Sequence, residues 1–91
     1  MHVTTYHPNH HKARTACENG TRSVAVWPET VVFLESEVTK EVNVYRVTGD
    51  FSVENSIGYR DSMGYSCTAR CTDDECIVVK HHTHLSQLTP K

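Results

Sequence analysis

The sequence predicts a mainly β protein, or a small α+β domain, with an antiparallel sheet of about four to six strands and at most one or two short helices. Twelve Val, 2 Ile and 11 Thr make up 25 of the 91 residues, and β-branched side chains pack well on a pleated sheet. The strong helix formers Leu and Ala number only 3 and 4. No segment shows a sustained helical period, whereas short alternating runs separated by Gly, Pro and Asn are typical of strands and turns.

Length and charge exclude several classes of protein. A chain of 91 residues is one small domain, too short for a nucleotide-binding α/β core or a (β/α)₈ barrel. Acidic residues number 11 and basic residues 9, so we expect no nucleic-acid partner, because dedicated nucleic-acid binders are usually basic. No apolar run approaches the roughly 18 residues of a membrane span, so we expect no membrane partner.

Composition divides the chain into three segments. Residues 1–15 hold four of the seven histidines and are expected to form a polar, His-rich arm, either irregular or a loosely held first strand. Residues 16–84 are expected to form a single β-rich domain, and residues 85–91 a C-terminal tail. The first 16 residues lack the apolar stretch of a signal peptide, which predicts a cytoplasmic location if Met1 is the native start.

Alternating apolar residues predict a series of strands in the first half of the chain. Asn19-Gly20 is a tight-turn signal, and Pro28 is expected to end the strand that follows it. A turn at Thr48-Gly49-Asp50 is expected to make residues 31–54 an antiparallel meander. The predicted strands are residues 23–27, 30–35, 41–47 and 51–54.

A second hairpin is expected around the acidic loop of residues 72–75. If the hairpin closes there, residues that face one another have Cβ atoms about 4.5–5.5 Å apart. The expected facing pairs are Cys71 with Cys76, Ala69 with Val78, Cys67 with Lys80, and Tyr65 with His82. A short helix near residues 68–76 or 84–89 is the alternative.

A cluster of cysteines and histidines is the strongest chemical signal in the sequence. Thiolates and imidazoles are the ligands of tetrahedral Zn²⁺ sites, although this spacing matches no paired Cys-x2-Cys motif. Two other interpretations remain open: buried structural thiols, and one or two disulfides, which Cys71 and Cys76 are placed to form. Three cysteines share one ion only if residues 67–71 form a helical turn, since an extended strand separates Cys67 from Cys71 by about 13 Å. The candidate zinc ligands are Cys67, Cys71, Cys76, His81, His82 and His84.

Tyrosine and arginine residues form a candidate partner-binding patch. Such residues often anchor protein interfaces, and the alternative is that the tyrosines line the sheet. The candidates are Tyr45, Arg46, Tyr59, Arg60 and Tyr65.

These observations favour a non-enzymatic protein-binding module: a small inhibitor, adaptor or accessory factor of the kind that viruses or mobile elements encode. It is expected to act on another protein through a sheet edge or the aromatic and arginine patch. An exposed edge in so small a protein also favours a homodimer. One alternative is a regulatory module stabilised by zinc at residues 67–84, for which zinc is the only cofactor indicated. A second alternative is a small enzyme that uses a Cys–His pair.

Overall fold

A computed structural model describes residues 8–72 and 75–85 of the chain. Its four strands form one antiparallel sheet in the order β1-β2-β3-β4, and the helix packs across one face. The predicted fold class is therefore confirmed. The elements in chain order are helix α1 (Pro8–Val24), a 3₁₀ helix (Pro28–Thr30) and strands β1 (Val32–Lys40), β2 (Tyr45–Glu54), β3 (Arg60–Cys71) and β4 (Cys76–Leu85).

Helix α1 contacts the sheet through a stripe of small residues. Ala13, Cys17 and Thr21 recur every four residues, so they share one helix face, and all three are fully buried. Gly20 lies beside them, and a Cβ built on it comes within 3.5 Å of the His81 ring. Small side chains let the helix backbone lie close to the strands. They also carry little hydrophobicity, which explains why the sequence shows no helical period.

The N-terminal third differs from the sequence-based expectation. Helix α1 begins at Pro8, so residues 8–15 are helical rather than irregular, and residues 1–7 lie outside the described residues. The Asn19-Gly20 pair lies inside the helix, and the strand predicted at 23–27 is wrong, because α1 continues to Val24. Proline at the first helical position has no N–H to leave unpaired, and it favours a helix start there.

Strand β2 runs unbroken through the predicted turn at Gly49. Gly49 pairs with Ser36 on one side and with Tyr65 on the other. A Cβ at Gly49 would lie 2.8 Å from Ser36 Cβ and 2.9 Å from the Tyr65 ring. Glycine is present here because neighbouring groups approach the backbone closely, which is a second role of glycine in strands. The chain instead reverses at residues 41–44, where Glu41 N–H donates to Val44 O at 2.8 Å.

The pairing register of the β3–β4 hairpin is as predicted at the tip, but it shifts by one residue farther from the tip. Cys71 lies opposite Cys76 and Ala69 opposite Val78. A β-bulge at Val79 then adds one residue to β4, so that Cys67 lies opposite His81 rather than Lys80, and Tyr65 opposite Thr83 rather than His82. The helix proposed near residues 68–76 is wrong, since residues 68–71 belong to β3 and β4 begins at Cys76. The helix proposed at 84–89 lies largely outside the described residues.

An aromatic cluster fills the core between α1 and the sheet. The ring centroids of Phe33, Phe51 and Tyr65 lie 6.1–6.2 Å apart in pairs. The Arg22 guanidinium covers the outer side of this cluster, 4.8 Å from the Phe33 centroid. Val47 belongs to the same buried core and is fully buried. Because β1 contributes Phe33 and α1 contributes Arg22, the cluster links the helix to the strand farthest from β4.

Two disulfides complete the fold. Cys17 of α1 is bonded to Cys67 of β3, with 5.9 Å between their Cα atoms and a sequence separation of 50. Cys71 is bonded to Cys76 across the tip of the β3–β4 hairpin, with a sequence separation of 5. The first bond joins the helix to the middle of the sheet, whereas the second lies within one hairpin.

The two disulfides are expected to contribute unequally to stability. A bond that closes a longer loop removes more entropy from the unfolded chain. Loss of Cys17–Cys67 in C17A/C67A should lower the free energy of unfolding by about 4 kcal/mol, and loss of Cys71–Cys76 in C71A/C76A by about 2 kcal/mol. Urea denaturation of both variants under non-reducing conditions measures this. A larger loss in C71A/C76A would contradict the central role of the helix–sheet bond.

Two glycine substitutions should change stability in opposite directions. Gly49→Ala is expected to destabilise the protein by about 1–3 kcal/mol, because its Cβ would overlap Ser36 and Tyr65. Gly20→Ala, which makes only ordinary contacts inside α1, should stabilise it by about 0.5–1 kcal/mol. The melting temperatures of the two variants, compared with that of the parent chain, test both predictions. A higher melting temperature for Gly49→Ala would contradict the close approach of Ser36 and Tyr65 to Gly49.

Candidate functional site

Exposed apolar side chains are concentrated at one end of the molecule. This is the end where α1 stops, the 3₁₀ helix follows and β2 turns into β3. Seven of the eleven exposed large hydrophobic residues in the described part of the chain lie there, and exposed apolar patches are typical of interaction sites. The seven are Val24, Val26, Trp27, Val32, Ile57, Tyr59 and Leu85.

A groove of about 470 Å³ opens between these elements. We call it the Trp27 groove. Phe51, Val53 and Met63 contribute apolar side chains from β2 and β3. The end of α1 and the segment that follows it form the opposite wall, with Trp27 37% exposed and Val26 78% exposed. The Trp27 groove is therefore lined by Val24, Val26, Trp27, Phe51, Val53 and Met63.

Hydrogen bonds fix the segment that carries Trp27 to the sheet. The backbone N–H of Glu54 donates to Thr30 Oγ1 at 3.1 Å. The Arg60 guanidinium donates to Thr30 O at 2.9 Å and to Ser52 Oγ at 3.0 Å. Pro28 sets the backbone at the start of the 3₁₀ helix, because its ring restricts φ. The wall of the groove is thus held by contacts to both β2 and β3.

The turn between β2 and β3 is ordered by Asn55. Its Oδ1 accepts from the backbone N–H groups of Ile57 and Tyr59, at 3.0 and 3.1 Å. Gly58 has φ +87°, a left-handed conformation that glycine adopts without strain. Ile57 and Tyr59 are 72% and 70% exposed. The turn presents two large side chains to solvent in a defined geometry.

Acidic groups lie at the rim of the groove. Glu54 and Asp61 are among its lining residues. Asp61 Oδ1 accepts from Asn55 Nδ2 at 3.3 Å, and Glu54 forms a 4.0 Å ion pair with Arg60. Both are acceptors beside an apolar surface, so the groove suits an apolar group flanked by positive charge.

The structure separates the residues of the predicted aromatic and arginine patch. Tyr45 and Tyr65 are 8% and 1% exposed and lie in the core, where burial raises the pKa of the Tyr65 hydroxyl. Arg46 lies on the opposite face of the sheet, 3.1 Å from Glu41 near the β1–β2 turn. Tyr59 and Arg60 lie at the other end of the hairpin, beside the Trp27 groove. Only these last two contribute to the site described here.

The candidate zinc ligands are also distributed over several places. Cys67 is bonded to Cys17 and Cys71 to Cys76, so none of the three supplies a thiolate in this state. His81 lies on the helix side of the sheet, whereas His82 and His84 stack on the outer face with ring centroids 5.8 Å apart. Among residues 8–72 and 75–85, no group of three or more His, Cys, Asp or Glu side chains is placed to hold a metal ion.

A Cys–His enzyme requires a free thiol beside an imidazole. All four cysteines form disulfides here, so the predicted nucleophile would have to be released by reduction.

A second cleft, of about 460 Å³, lies on the outer face near Glu35, Asp50 and His84. Seven of its nine lining residues are polar or charged, and its one tyrosine, Tyr65, is buried, whereas Trp27 is exposed. The Trp27 groove is therefore the stronger candidate site.

Comparison of the chain with protein families, curated proteins and solved structures finds no match. Within the described residues, no helix is both long enough and apolar enough to cross a membrane. The functional interpretation therefore depends on the geometry of this chain alone.

Sequence reasoning missed the Trp27 groove, although one signal was present. Trp27 is the single tryptophan, and it stands between Val26 and Pro28 in a segment that was interpreted as a strand end. An apolar Val-Trp-Pro run in a loop is exposed unless a neighbouring element covers it. The groove also depends on the position of the β2–β3 turn. That position was not predicted, because a turn was wrongly expected at Gly49, inside β2.

His81 forms a partly buried polar contact with Thr21, one of the residues that line the groove. The Thr21 hydroxyl donates to Cys17 O at 3.0 Å, and it lies 2.8 Å from His81 Nε2. A hydroxyl has one proton, so Thr21 accepts from His81 Nε2–H. Burial first, and the positive charge of His82 second, lower the pKa of His81 below its ordinary value of 6.5.

This lowered pKa predicts that acid destabilises the protein. The unfolded chain protonates His81 near its ordinary pKa of 6.5, whereas the folded protein resists protonation until lower pH. The unfolded state therefore binds more protons, and the free energy of unfolding falls as the pH drops below about 6.5. His81→Gln keeps an N–H donor for Thr21 and should flatten this dependence. Urea denaturation across a pH series tests the assignment, with a variant of the exposed His84, His84→Gln, as the control. If the free energy of unfolding changes with pH equally in His81→Gln and in the parent chain, the assignment to His81 is wrong.

Proposed function

We propose that this chain is a non-enzymatic protein-binding module that accepts an extended apolar segment of another protein in the Trp27 groove. The observation that supports this is a groove lined by the exposed side chains of Val24, Val26 and Trp27, at the end of the molecule where seven of the eleven exposed large hydrophobic residues of the described chain lie. Tryptophan and tyrosine are enriched among the residues that dominate binding energy at protein interfaces. The class of function is the one predicted from the sequence. The proposed partner-binding surface is the Trp27 groove instead of the tyrosine and arginine patch, whose residues are dispersed.

The chemistry of the rim defines the kind of partner. Glu54 and Asp61 border the apolar lining, and opposite charges across an interface favour the correct partner and register. The favoured partner segment carries one or two large apolar side chains next to Lys or Arg. The groove volume of about 470 Å³ lies in the range of sites that accept such side chains.

We further propose that the module works where disulfides persist, for example outside the cell. The Cys17–Cys67 disulfide supports the binding surface indirectly, because it holds α1 against the sheet. Protein disulfides are rare in the reducing cytosol, so this proposal differs from the cytoplasmic location predicted from the N-terminus. The inhibitor role, the viral or mobile-element origin and the zinc-stabilised alternative stay predictions.

A peptide library displayed on phage tests the binding proposal directly. Selection against the oxidised protein should enrich peptides that share an apolar residue flanked by Lys or Arg. An enriched peptide should bind the Trp27→Ala variant at least about 30-fold more weakly, the effect expected of an interface anchor worth 2 kcal/mol or more.

Two exposed valines provide the matched control. Val26→Ser removes apolar surface at the groove, whereas Val42→Ser removes it from the β1–β2 turn at the other end of the sheet. Val26→Ser should lower the affinity for the same peptide roughly tenfold, because burial of a Val side chain contributes about 1.5 kcal/mol. Val42→Ser should leave the affinity unchanged. Equal effects of the two substitutions, or enriched peptides that ignore Trp27→Ala, would refute the groove as the binding site.

A further inference from the structure

The two disulfides differ in their exposure to solvent. Cys17 and Cys67 are 0% and 1% exposed, and their bond lies between α1 and the sheet. Cys71 and Cys76 are only partly buried, at the tip of the β3–β4 hairpin. Thiol–disulfide exchange requires a thiolate to reach a sulfur atom, and exposed disulfides are accordingly the labile ones. A thiol in solution should therefore reach the tip bond before the buried one.

A third cleft, of about 390 Å³, lies beside Cys76 between α1 and the start of β4. Lys12 and Thr15 line it from the helix, and Glu75 lines it from the hairpin. Its volume is in the range of sites that accept small organic molecules. The cleft places a small molecule next to the Cys71–Cys76 bond, whereas neither cysteine of the buried bond lines it.

We propose that Cys71–Cys76 is a thiol-exchange site, which a small-molecule monothiol opens while Cys17–Cys67 stays intact. The monothiol attacks as its thiolate. It forms a new S–S bond with Cys76 Sγ, and the bond between Cys76 and Cys71 breaks, which releases the Cys71 thiolate. The proposal goes beyond the binding function of the Trp27 groove and does not depend on it.

A second monothiol completes the exchange. Its thiolate attacks the sulfur of the first monothiol in the mixed disulfide and releases the Cys76 thiolate. The two monothiols leave as one symmetrical disulfide and have lost two electrons, which the protein sulfurs have gained. The two protons that the monothiols gave up are taken by Cys71 and Cys76. With the symmetrical disulfide in excess, the same steps run in reverse and restore the bond.

The position of β4 in the sheet favours Cys76 as the sulfur that is attacked. The attacking thiolate approaches in line with the S–S bond, from the side away from the leaving sulfur. On the Cys71 side the sheet continues from β3 to β2, whereas within the described residues no strand follows β4 on the Cys76 side. The monothiol therefore approaches from the β4 side, where the cleft lies.

Contacts other than the disulfide hold the hairpin tip. β3 and β4 pair up to the two cysteines, and the Thr72 N–H donates to Glu75 O at 2.8 Å. Asn9 O of α1 lies 4.0 Å from Cys71 Sγ and 3.8 Å from Cys76 Sγ, so a thiol formed at either position has an acceptor for its weak S–H donor. The two thiols therefore stay opposite one another, and the helix–sheet disulfide preserves the fold while the tip bond is open.

Timed reduction of the intact, oxidised chain tests the site. The protein is incubated with reduced glutathione at neutral pH, free thiols are blocked with N-ethylmaleimide at intervals, and tandem mass spectrometry locates the blocked and glutathionylated cysteines. Cys71 and Cys76 should react at least about tenfold faster than Cys17 and Cys67, because a buried bond reacts only when the structure opens. The first mixed disulfide should carry glutathione on Cys76. Circular dichroism of the partly reduced chain should match the parent, and oxidised glutathione should restore the bond.

The variant C71S/C76S, which keeps only the buried disulfide, is the matched control. It should remain unlabelled over the time in which the parent loses its tip bond. Reduction of both disulfides at one rate, or of Cys17–Cys67 first, would overturn the proposal, because the bonds would then open through unfolding. Labelling of folded C71S/C76S as fast as the parent would overturn it as well. Glutathione found on Cys71 in the first mixed disulfide would refute attack at Cys76 from the cleft.

Discussion

The bond between Cys17 and Cys67 constrains the rest of the fold. It ties the buried face of α1 to the middle of β3 and holds the helix backbone close to the sheet. At that distance only small side chains fit, which accounts for the Ala13, Cys17 and Thr21 stripe, and it places Thr21 within hydrogen-bond distance of His81. Helix α1 consequently packs most extensively on β4 and β3, and longer side chains, such as Arg22 on Phe33, cover the side toward β1.

The sequence predicted the fold class and the hairpin tip, because both depend on local properties. β-Branched composition indicates a sheet wherever the strands fall, and the four residues between Cys71 and Cys76 suffice for a tight turn. Helix α1 was not predictable from its pattern, since its buried stripe lacks large apolar residues and its Asn19-Gly20 pair is typical of turns. A turn was wrongly predicted at Gly49 for a related reason. Its role is to admit the Tyr65 ring, a partner from another strand that a local pattern does not reveal.

The candidate site follows from the same packing. The helix ends at Val24, short of the turn between β2 and β3, so α1 does not cover the apolar residues of that turn or of the segment through Trp27. Hydrogen bonds from Arg60 and Glu54 to Thr30 nevertheless hold this end in one arrangement. A surface that is apolar and ordered before binding loses less conformational entropy when a partner docks. This distinguishes the Trp27 groove from the polar cleft on the outer face.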